Sequence, residues 1–273
     1  MAEQHAQEGF VYEVNASKAL KKFGASTGET AGASHDKPDL MLQSNKKLAG
    51  CELKNAPTAA GSLVMWYQSN KWKYGDGWKN SAEKIFLHDI GEKAGLLREM
   101  NSSGTAGRNW RGKRPAQQND MAGRKILIGA KDSEKAYKID LAQFGGANEI
   151  HLVIPAKAVS DYYNTKKTYY LNVGTHGFFL LNSSDPLRLN EGLRKIGQPK
   201  IPDFGSSTKV IIRMRCQYKG SGSYQFSMTL QFGSVSKSPY NVAPLRPGSS
   251  SAIDEARLQA DPILLAFNTI GQK

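Results

Sequence analysis

The chain has 273 residues and carries 37 lysines and arginines against 24 aspartates and glutamates, which gives a formal net charge of +13 at pH 7. Hydrophobic residues make up 39% of the chain, so it can bury one large core or two smaller ones. Because the positive excess is large for this length, we expect a polyanionic partner, and nucleic acid is the obvious one. An anionic membrane is a poorer candidate, because no basic amphipathic helix stands out.

Targeting and cofactor signals are sparse. No apolar run reaches the roughly 18 residues of a membrane span, so we expect no membrane segment. The opening MAEQHAQEGF lacks the basic start and apolar stretch of a signal peptide, so cytoplasmic residence is the expectation. Two cysteines, Cys51 and Cys216, argue against a disulfide framework, and no Cys/His cluster has the spacing of a zinc site.

The first predicted element is a helix over residues 8–23. Its lysines gather near the C-terminal end, where the helix dipole favours cations, and Glu13 lies beside its apolar stripe. Residues 24–37, GASTGETAGASHDK, are predicted to be a loop of small and polar residues. This loop lacks the GxxxxGK[ST] pattern of a phosphate-binding P-loop.

The most informative stretch is HDKPDLMLQSNKKLAGCELKNAP, residues 35–57. Asp39 opens one apolar run, a polar turn follows, and a second strand-like run carries Glu52 and Lys54. Side chains alternate along a strand, so Glu52 and Lys54 share a face while Cys51 and Leu53 point the other way. If the two runs pair as a hairpin, two carboxylates and an ammonium converge. That arrangement suits a divalent cation, a polarised phosphate and an activated water.

This pattern resembles the PD-(D/E)xK nuclease superfamily, which has the restriction-endonuclease-like fold. The matching residues are Pro38, Asp39, Glu52 and Lys54. Glu13 stands where the family carries an acidic residue on a helix ahead of the first strand. The resemblance covers roughly residues 8–100 and implies an α/β (α+β) fold, in which a mixed sheet core is flanked by helices.

The resemblance also implies a reaction, the Mg²⁺-dependent hydrolysis of phosphodiester bonds, with Mn²⁺ as a substitute cofactor. Asp39 and Glu52 would be metal ligands, and the backbone carbonyl of Leu53 would be a third oxygen. Lys54 would orient or activate the attacking water and steady the charge on the phosphate. Glu13 would reach a second metal or a metal-bound water, so the implied catalytic set is Asp39, Glu52, Lys54 and Glu13.

Residues 58–74 fit a strand or a short helix, and a strand followed by a loop is the favoured prediction. Residues 80–100 are predicted to be a helix capped by Asn80 or Ser81. All four tryptophans fall between residues 66 and 110, with Lys71 and Lys73 among them. Aromatic rings interleaved with lysines can stack bases while the cations hold phosphates. Ordinary packing of tryptophans in a core is the other interpretation, and both stay open.

Residues 101–125 form the most loop-like interior stretch and the most basic one. They hold six arginines and lysines against Asp120 alone, a local charge of +5. A loop this long inside a globular chain is usually functional or disordered, and we predict a nucleic-acid contact or clamp. The predicted nucleic-acid-binding residues are Arg108, Arg111, Lys113, Arg114, Lys71 and Lys73.

The pattern changes near residue 126, where segments such as AYKIDL, EIHLVIPA, KTYYLNV, GFFLLN, KVIIRMRCQY and YQFSMTLQF are strand-like. This half is predicted to be a mixed or antiparallel β region, which either extends the nuclease sheet or forms a recognition module. The expected organisation is a nuclease core with its basic loop (1–125), a β-rich region (126–238), and a linker and tail (239–273). The tail contains a predicted short helix broken by Pro262.

The sequence therefore predicts a Mg²⁺-dependent endonuclease acting on DNA, most simply duplex DNA. Sequence-specific cleavage in the manner of a type II restriction enzyme, and a homodimer that cuts both strands, follow only by analogy with the fold. Two alternatives stay open, a non-catalytic nucleic-acid-binding protein and a viral structural or assembly protein.

Overall fold

The computed structural model describes residues 2–30, 37–55, 59–68, 71–102, 134–135, 137–138, 149–220 and 223–270. Its contacts divide the chain into two compact units, each assembled from segments that are distant in sequence. Unit 1 comprises Met1–Thr58, Pro155–Lys209 and Phe232–Lys273, and unit 2 comprises Ala59–Ile154 and Val210–Gln231. These boundaries differ from the three consecutive segments expected from the sequence.

In chain order, the elements are α1 (Ala2–Lys22), β1 (Ser26–Thr30), β2 (Leu40–Ser44), β3 (Lys47–Lys54), β4 (Ala59–Gln68), β5 (Lys71–Tyr74), a 3₁₀ helix (Asp76–Asn80), α2 (Ala82–Lys93), α3 (Leu96–Asn101), β6 (Glu149–Ile154), α4 (Ala156–Thr165), β7 (Thr168–Val173), β8 (Gly177–Leu180), α5 (Leu189–Lys195), α6 (Phe204–Ser207), β9 (Thr208–Gly220), β10 (Ser223–Val235), α7 (Glu255–Ala260) and α8 (Pro262–Thr269). The predicted mixed α/β class is confirmed. No helix among the described residues is long and apolar enough to cross a membrane.

Unit 1 contains a five-stranded sheet with the order β1-β2-β3-β7-β8. Strands β1, β2 and β3 form an antiparallel meander, whereas β7 runs parallel to β3 and β8 antiparallel to β7. Parallel neighbouring strands need a crossover connection, and here the last helix of that connection is α4, which immediately precedes β7. Unit 1 therefore presents a helix, three antiparallel strands, a second helix and a strand parallel to the third.

The predicted hairpin is confirmed as β2 and β3. Its two turn residues, Asn45 and Lys46, have φ of 47° and 61°, the left-handed conformation that a tight two-residue hairpin turn requires. The register pairs Leu40 with Cys51, so Asp39, which precedes Leu40, comes level with Glu52. The hairpin thereby brings a carboxylate from each strand to the same end of the sheet.

The loop predicted for residues 24–37 is wrong at Ser26–Thr30, which form β1. This segment has little β propensity of its own, but it pairs with β2, and the Ser26 hydroxyl donates to the carbonyl of Met41 at 2.9 Å. Tertiary pairing therefore overrides local composition here.

The core of unit 1 joins α1 to the inner face of the sheet. Tyr12 and Leu20 of α1 are buried in one cluster with Cys51 and Leu53 of β3. The helix begins earlier than the predicted residue 8 and ends one residue before the predicted residue 23. The segment expected to be a linker and tail adds buried residues to the same cluster, including Val242. As predicted, the C-terminal helical segment is interrupted at proline, which starts α8 at its first turn.

Unit 2 contains the sheet β5-β4-β10-β9-β6, in which the pairs β4–β5, β4–β10 and β6–β9 are antiparallel. Ser81 caps α2 by accepting from the backbone N–H of Lys84, as predicted. The helix predicted for residues 80–100 is divided, because Gly95 has a φ of 74° between α2 and α3. The β-rich half thus contributes to both sheets. The strand predicted for AYKIDL is wrong at 137–138, which are helical.

Candidate active site

The site is built on the end of β3, where side chains alternate between the two faces of the sheet. Leu53 points into the core with 2% exposure, whereas Glu52 and Lys54 share the opposite face, as predicted. The Lys54 ammonium donates to Glu52 Oε1 at 2.6 Å. This ion pair is held away from solvent, because the Glu52 and Lys54 side chains are only 6% and 21% exposed.

Asp39 joins this pair from the neighbouring strand. Its Oδ2 accepts the backbone N–H of Leu53 at 2.8 Å and lies 3.7 Å from the Lys54 ammonium. The N–H and C=O of one residue leave an extended strand on the same side. The Leu53 carbonyl is therefore directed toward the side on which Asp39 lies. The Lys54 carbonyl, on the opposite side, accepts from the N–H of Gly174 at 2.7 Å.

Glu13 of α1 interacts electrostatically with the same cluster. Burial is the main cause that raises the pKa of Glu13 to about 7, and the negative charge of Asp39 adds to it, while Lys54 opposes the rise. Burial likewise raises the pKa of Asp39 to about 6, with Glu52 adding to the rise and Lys54 lowering it. The two raised pKa values reflect mainly the loss of hydration on burial, and the neighbouring carboxylates add to it.

Glu52 is the most strongly held anion of the cluster. Burial by itself raises the pKa of Glu52, but Lys54, Lys166 and the nearby Tyr163 hydroxyl together bring it below the ordinary value. Lys54 shows the complementary effect, because Glu52 and Asp39 outweigh its burial and raise its pKa well above the ordinary range. Its two carboxylate neighbours therefore favour the charged form of Lys54.

Lys166 and Tyr163 belong to the site, although the sequence analysis did not identify them. Tyr163 lies on α4 and Lys166 follows that helix, and the Lys166 ammonium is 3.6 Å from Glu52 Oε2. No local pattern marks these residues, because they enter only through the parallel pairing of β7 with β3.

The residues present suit a small divalent cation. Glu52 Oε2 is buried, and no described residue gives it a well-formed hydrogen bond. Together with Asp39 and the Leu53 carbonyl, it provides two carboxylates and a neutral oxygen, and Mg²⁺ is usually held by one or two carboxylates and several waters. Among the described residues, no group of three or more His, Cys, Asp and Glu side chains is arranged to hold a metal.

The predicted nucleic-acid contacts are only partly described. Arg108, Arg111, Lys113 and Arg114 lie outside the described residues. Lys71 and Lys73 are exposed on β5, and the Lys73 ammonium lies 5.3 Å from the centre of the Trp66 ring. Trp66 and Trp72 are each 3% exposed, which favours packing over base stacking for these two tryptophans.

Comparison of the chain with protein-family models, with curated proteins and with solved structures found no match. The functional interpretation therefore depends on the chemistry and geometry of the site itself.

Proposed function

We propose that the chain is a Mg²⁺-dependent endonuclease of the PD-(D/E)xK kind that hydrolyses phosphodiester bonds in DNA. The observation that carries this proposal is the convergence of Asp39, Glu52 and Lys54 within hydrogen-bonding or ion-pair distance at one end of β3. Glu52 and Lys54 lie on β3, Asp39 immediately precedes β2, and all three side chains are largely shielded from solvent. An ordinary charged pair on the protein surface would be exposed to solvent, whereas these side chains are not.

The order of elements in unit 1 supports the proposal. A helix carrying Glu13, a meander carrying Asp39 and Glu52, a second helix and a parallel strand form a mixed sheet core flanked by helices. The resemblance in the sequence implies this kind of core. The long insertion between β3 and α4 leaves the core contiguous in space, because β7 still pairs with β3.

Each residue has a role that follows from its contacts. Asp39, Glu52 and the Leu53 carbonyl would hold Mg²⁺, which when bound compensates phosphate charge and lowers the pKa of a water. Lys54, held as an ammonium by Asp39 and Glu52, donates hydrogen bonds to the attacking water or to a phosphate oxygen. Because its two carboxylate neighbours favour its charged form, we assign Lys54 the role of a positioned cation rather than that of the acceptor of the water's proton.

We assign the acceptance of the water's proton to Glu13, which interacts electrostatically with Asp39, Lys54 and Glu52. Its pKa of about 7 lies near neutral pH, where a carboxylate can both take up and release a proton. A direct contact with the water is not required, since transfer through one intervening water also serves this role.

DNA is the proposed substrate because the chain carries a net charge of +13. Charge of this sign attracts the phosphate backbone without regard to sequence. The exposed Lys71 and Lys73 offer such contacts in unit 2. Within this proposal, the substrate is duplex DNA and the chain cleaves it at specific sites.

The direct test is cleavage of plasmid and phage DNA with Mg²⁺ or with EDTA. The parent chain is compared with Glu52→Gln, which keeps the shape of the side chain and removes its charge. Glu255→Gln is the matched control, because Glu255 is a half-exposed glutamate elsewhere in unit 1. We expect Mg²⁺-dependent cleavage by the parent and the control only, with discrete fragments if the cleavage is site-specific. DNA that is bound but left intact by the parent would favour the non-catalytic alternative.

A further inference from the structure

Lys166 is held rigidly beside β3 by the turn that joins α4 to β7. Its backbone N–H donates to the carbonyl of Tyr163 at 3.1 Å, and Lys167 adopts a left-handed φ of 54° that reverses the chain into β7. A side chain at Gly50 of β3 would collide with the Lys167 carbonyl, so the turn lies directly against the strand. The position of Lys166 is therefore set by the backbone.

The Lys166 side chain is buried for a lysine that carries a charge. It is only 10% exposed, and its ammonium lies 5.7 Å and 5.4 Å from the ring centres of Tyr162 and Tyr163. These are cation–π distances, and the same ammonium faces Glu52 Oε2. Burying a lysine is costly unless its charge is compensated, and Glu52 Oε2 at 3.6 Å compensates it.

The two carboxylate oxygens of Glu52 thus lie next to different cations. Lys54 takes Oε1 in a short hydrogen bond, whereas Lys166 faces Oε2 at a longer distance that leaves this oxygen without a well-formed hydrogen bond. Oε2 is the atom that the site offers to a divalent cation. An ammonium this close neutralises the same oxygen and repels any second cation placed there.

We propose that Lys166 is a positioning residue that neutralises Glu52 Oε2 while the site is free of metal, and that it thereby sets the affinity of the site for divalent cations. This inference rests on the proposed function, since it takes Glu52 as a metal ligand. Lys166 lies against the buried carboxylate and compensates its charge, and in doing so it weakens metal binding. The site then fills only when the concentration of divalent cation is high enough to compete with Lys166.

The test is calorimetric titration of the purified chain with Mn²⁺ in the absence of nucleic acid. Removing one positive charge a few ångströms from a divalent cation changes its affinity by roughly tenfold or more, since even full solvent screening leaves an effect of that order. We therefore expect Lys166→Met to bind Mn²⁺ about tenfold more tightly than the parent, and Lys166→Arg to bind about as the parent does. Lys167→Met is the matched control, because Lys167 is adjacent and exposed, and its Mn²⁺ affinity should stay unchanged.

Thermal unfolding gives a second readout that does not depend on activity. In EDTA, Lys166→Met should melt below the parent because Glu52 loses a partner, and Mn²⁺ should raise its melting temperature more than that of the parent. If the methionine variant does not fold, Lys166→Gln replaces it, since its amide can donate to Oε2 without a charge. Equal or weaker Mn²⁺ binding by the neutral variants would refute the role of Lys166. A parent chain without Glu52-dependent Mn²⁺ binding would refute the proposed metal site as well.

Discussion

The ion pair between Lys54 and Glu52 makes a quantitative prediction about stability that is independent of catalysis. Lys54→Met keeps most of the side-chain volume and removes the charge, which leaves Glu52 and Asp39 facing each other in a site where Glu52 is only 6% exposed. Removing one partner of a buried pair typically costs about 3 to 5 kcal/mol. Because Lys166 still lies 3.6 Å from Glu52, we expect the lower end, about 3 kcal/mol.

The assay is urea unfolding in EDTA, followed by circular dichroism, on a double-mutant cycle. The double variant Lys54→Met with Glu52→Gln should be more stable than Lys54→Met alone, with a coupling energy of about 2 kcal/mol, since Glu52 then carries no buried charge that repels Asp39. Lys157→Met is the control, because its pair with Asp161 is exposed on both sides and should contribute little. Additive losses in the cycle would show that the pair does not stabilise the fold, and the reasoning about the buried cluster would then fail.

Three further predictions concern other parts of the molecule. The folded-state pKa of Glu13, about 7, lies above its ordinary value, so the EDTA-treated protein becomes progressively less stable as pH rises from about 4.5 to 7. Glu13→Gln should therefore stabilise the metal-free chain at pH 8 relative to the parent and leave it unaffected or slightly less stable at pH 4, and equal melting temperatures at both pH values would refute this. Gly50→Ala should lower stability by about 1 to 3 kcal/mol and reduce cleavage, because its Cβ would lie 2.7 Å from that of Pro38, next to Asp39; a variant with parental stability would show that the strand has room. Replacing Lys71 and Lys73 by glutamine should weaken DNA binding and reduce the slope of log affinity against log salt by up to about 1.8, and an unchanged slope would show that these lysines do not meet phosphates.

Local pattern was sufficient for the part of the site that lies within one hairpin. The alternation of side chains along a strand puts Glu52 and Lys54 on one face whatever the rest of the fold does. The polar turn at 45–46 brings Asp39 back beside them, and both expectations are confirmed. Such features depend on neighbours a few positions away, which a sequence displays directly.

The segments that pair only with distant partners were predicted less well. β1 lies in a stretch of small polar residues, and nothing in that stretch favours a strand without β2 beside it. Residues 137–138 show the opposite case, because a strand-like pattern there forms helix. Short apolar runs do not discriminate between the two structures, and the surroundings decide.

The sequence alone therefore determined the mixed class, the hairpin and the grouping of Asp39, Glu52 and Lys54, because backbone geometry imposes these over short spans. Only the tertiary structure decided that β7 pairs with β3 although the first segment of unit 2, Ala59–Ile154, separates them in the chain. This pairing brings Lys166, which follows α4, to Glu52 from more than a hundred positions away. Such pairing depends on which buried surfaces match in three dimensions. The local sequence pattern of either segment does not show which distant strand it will pair with.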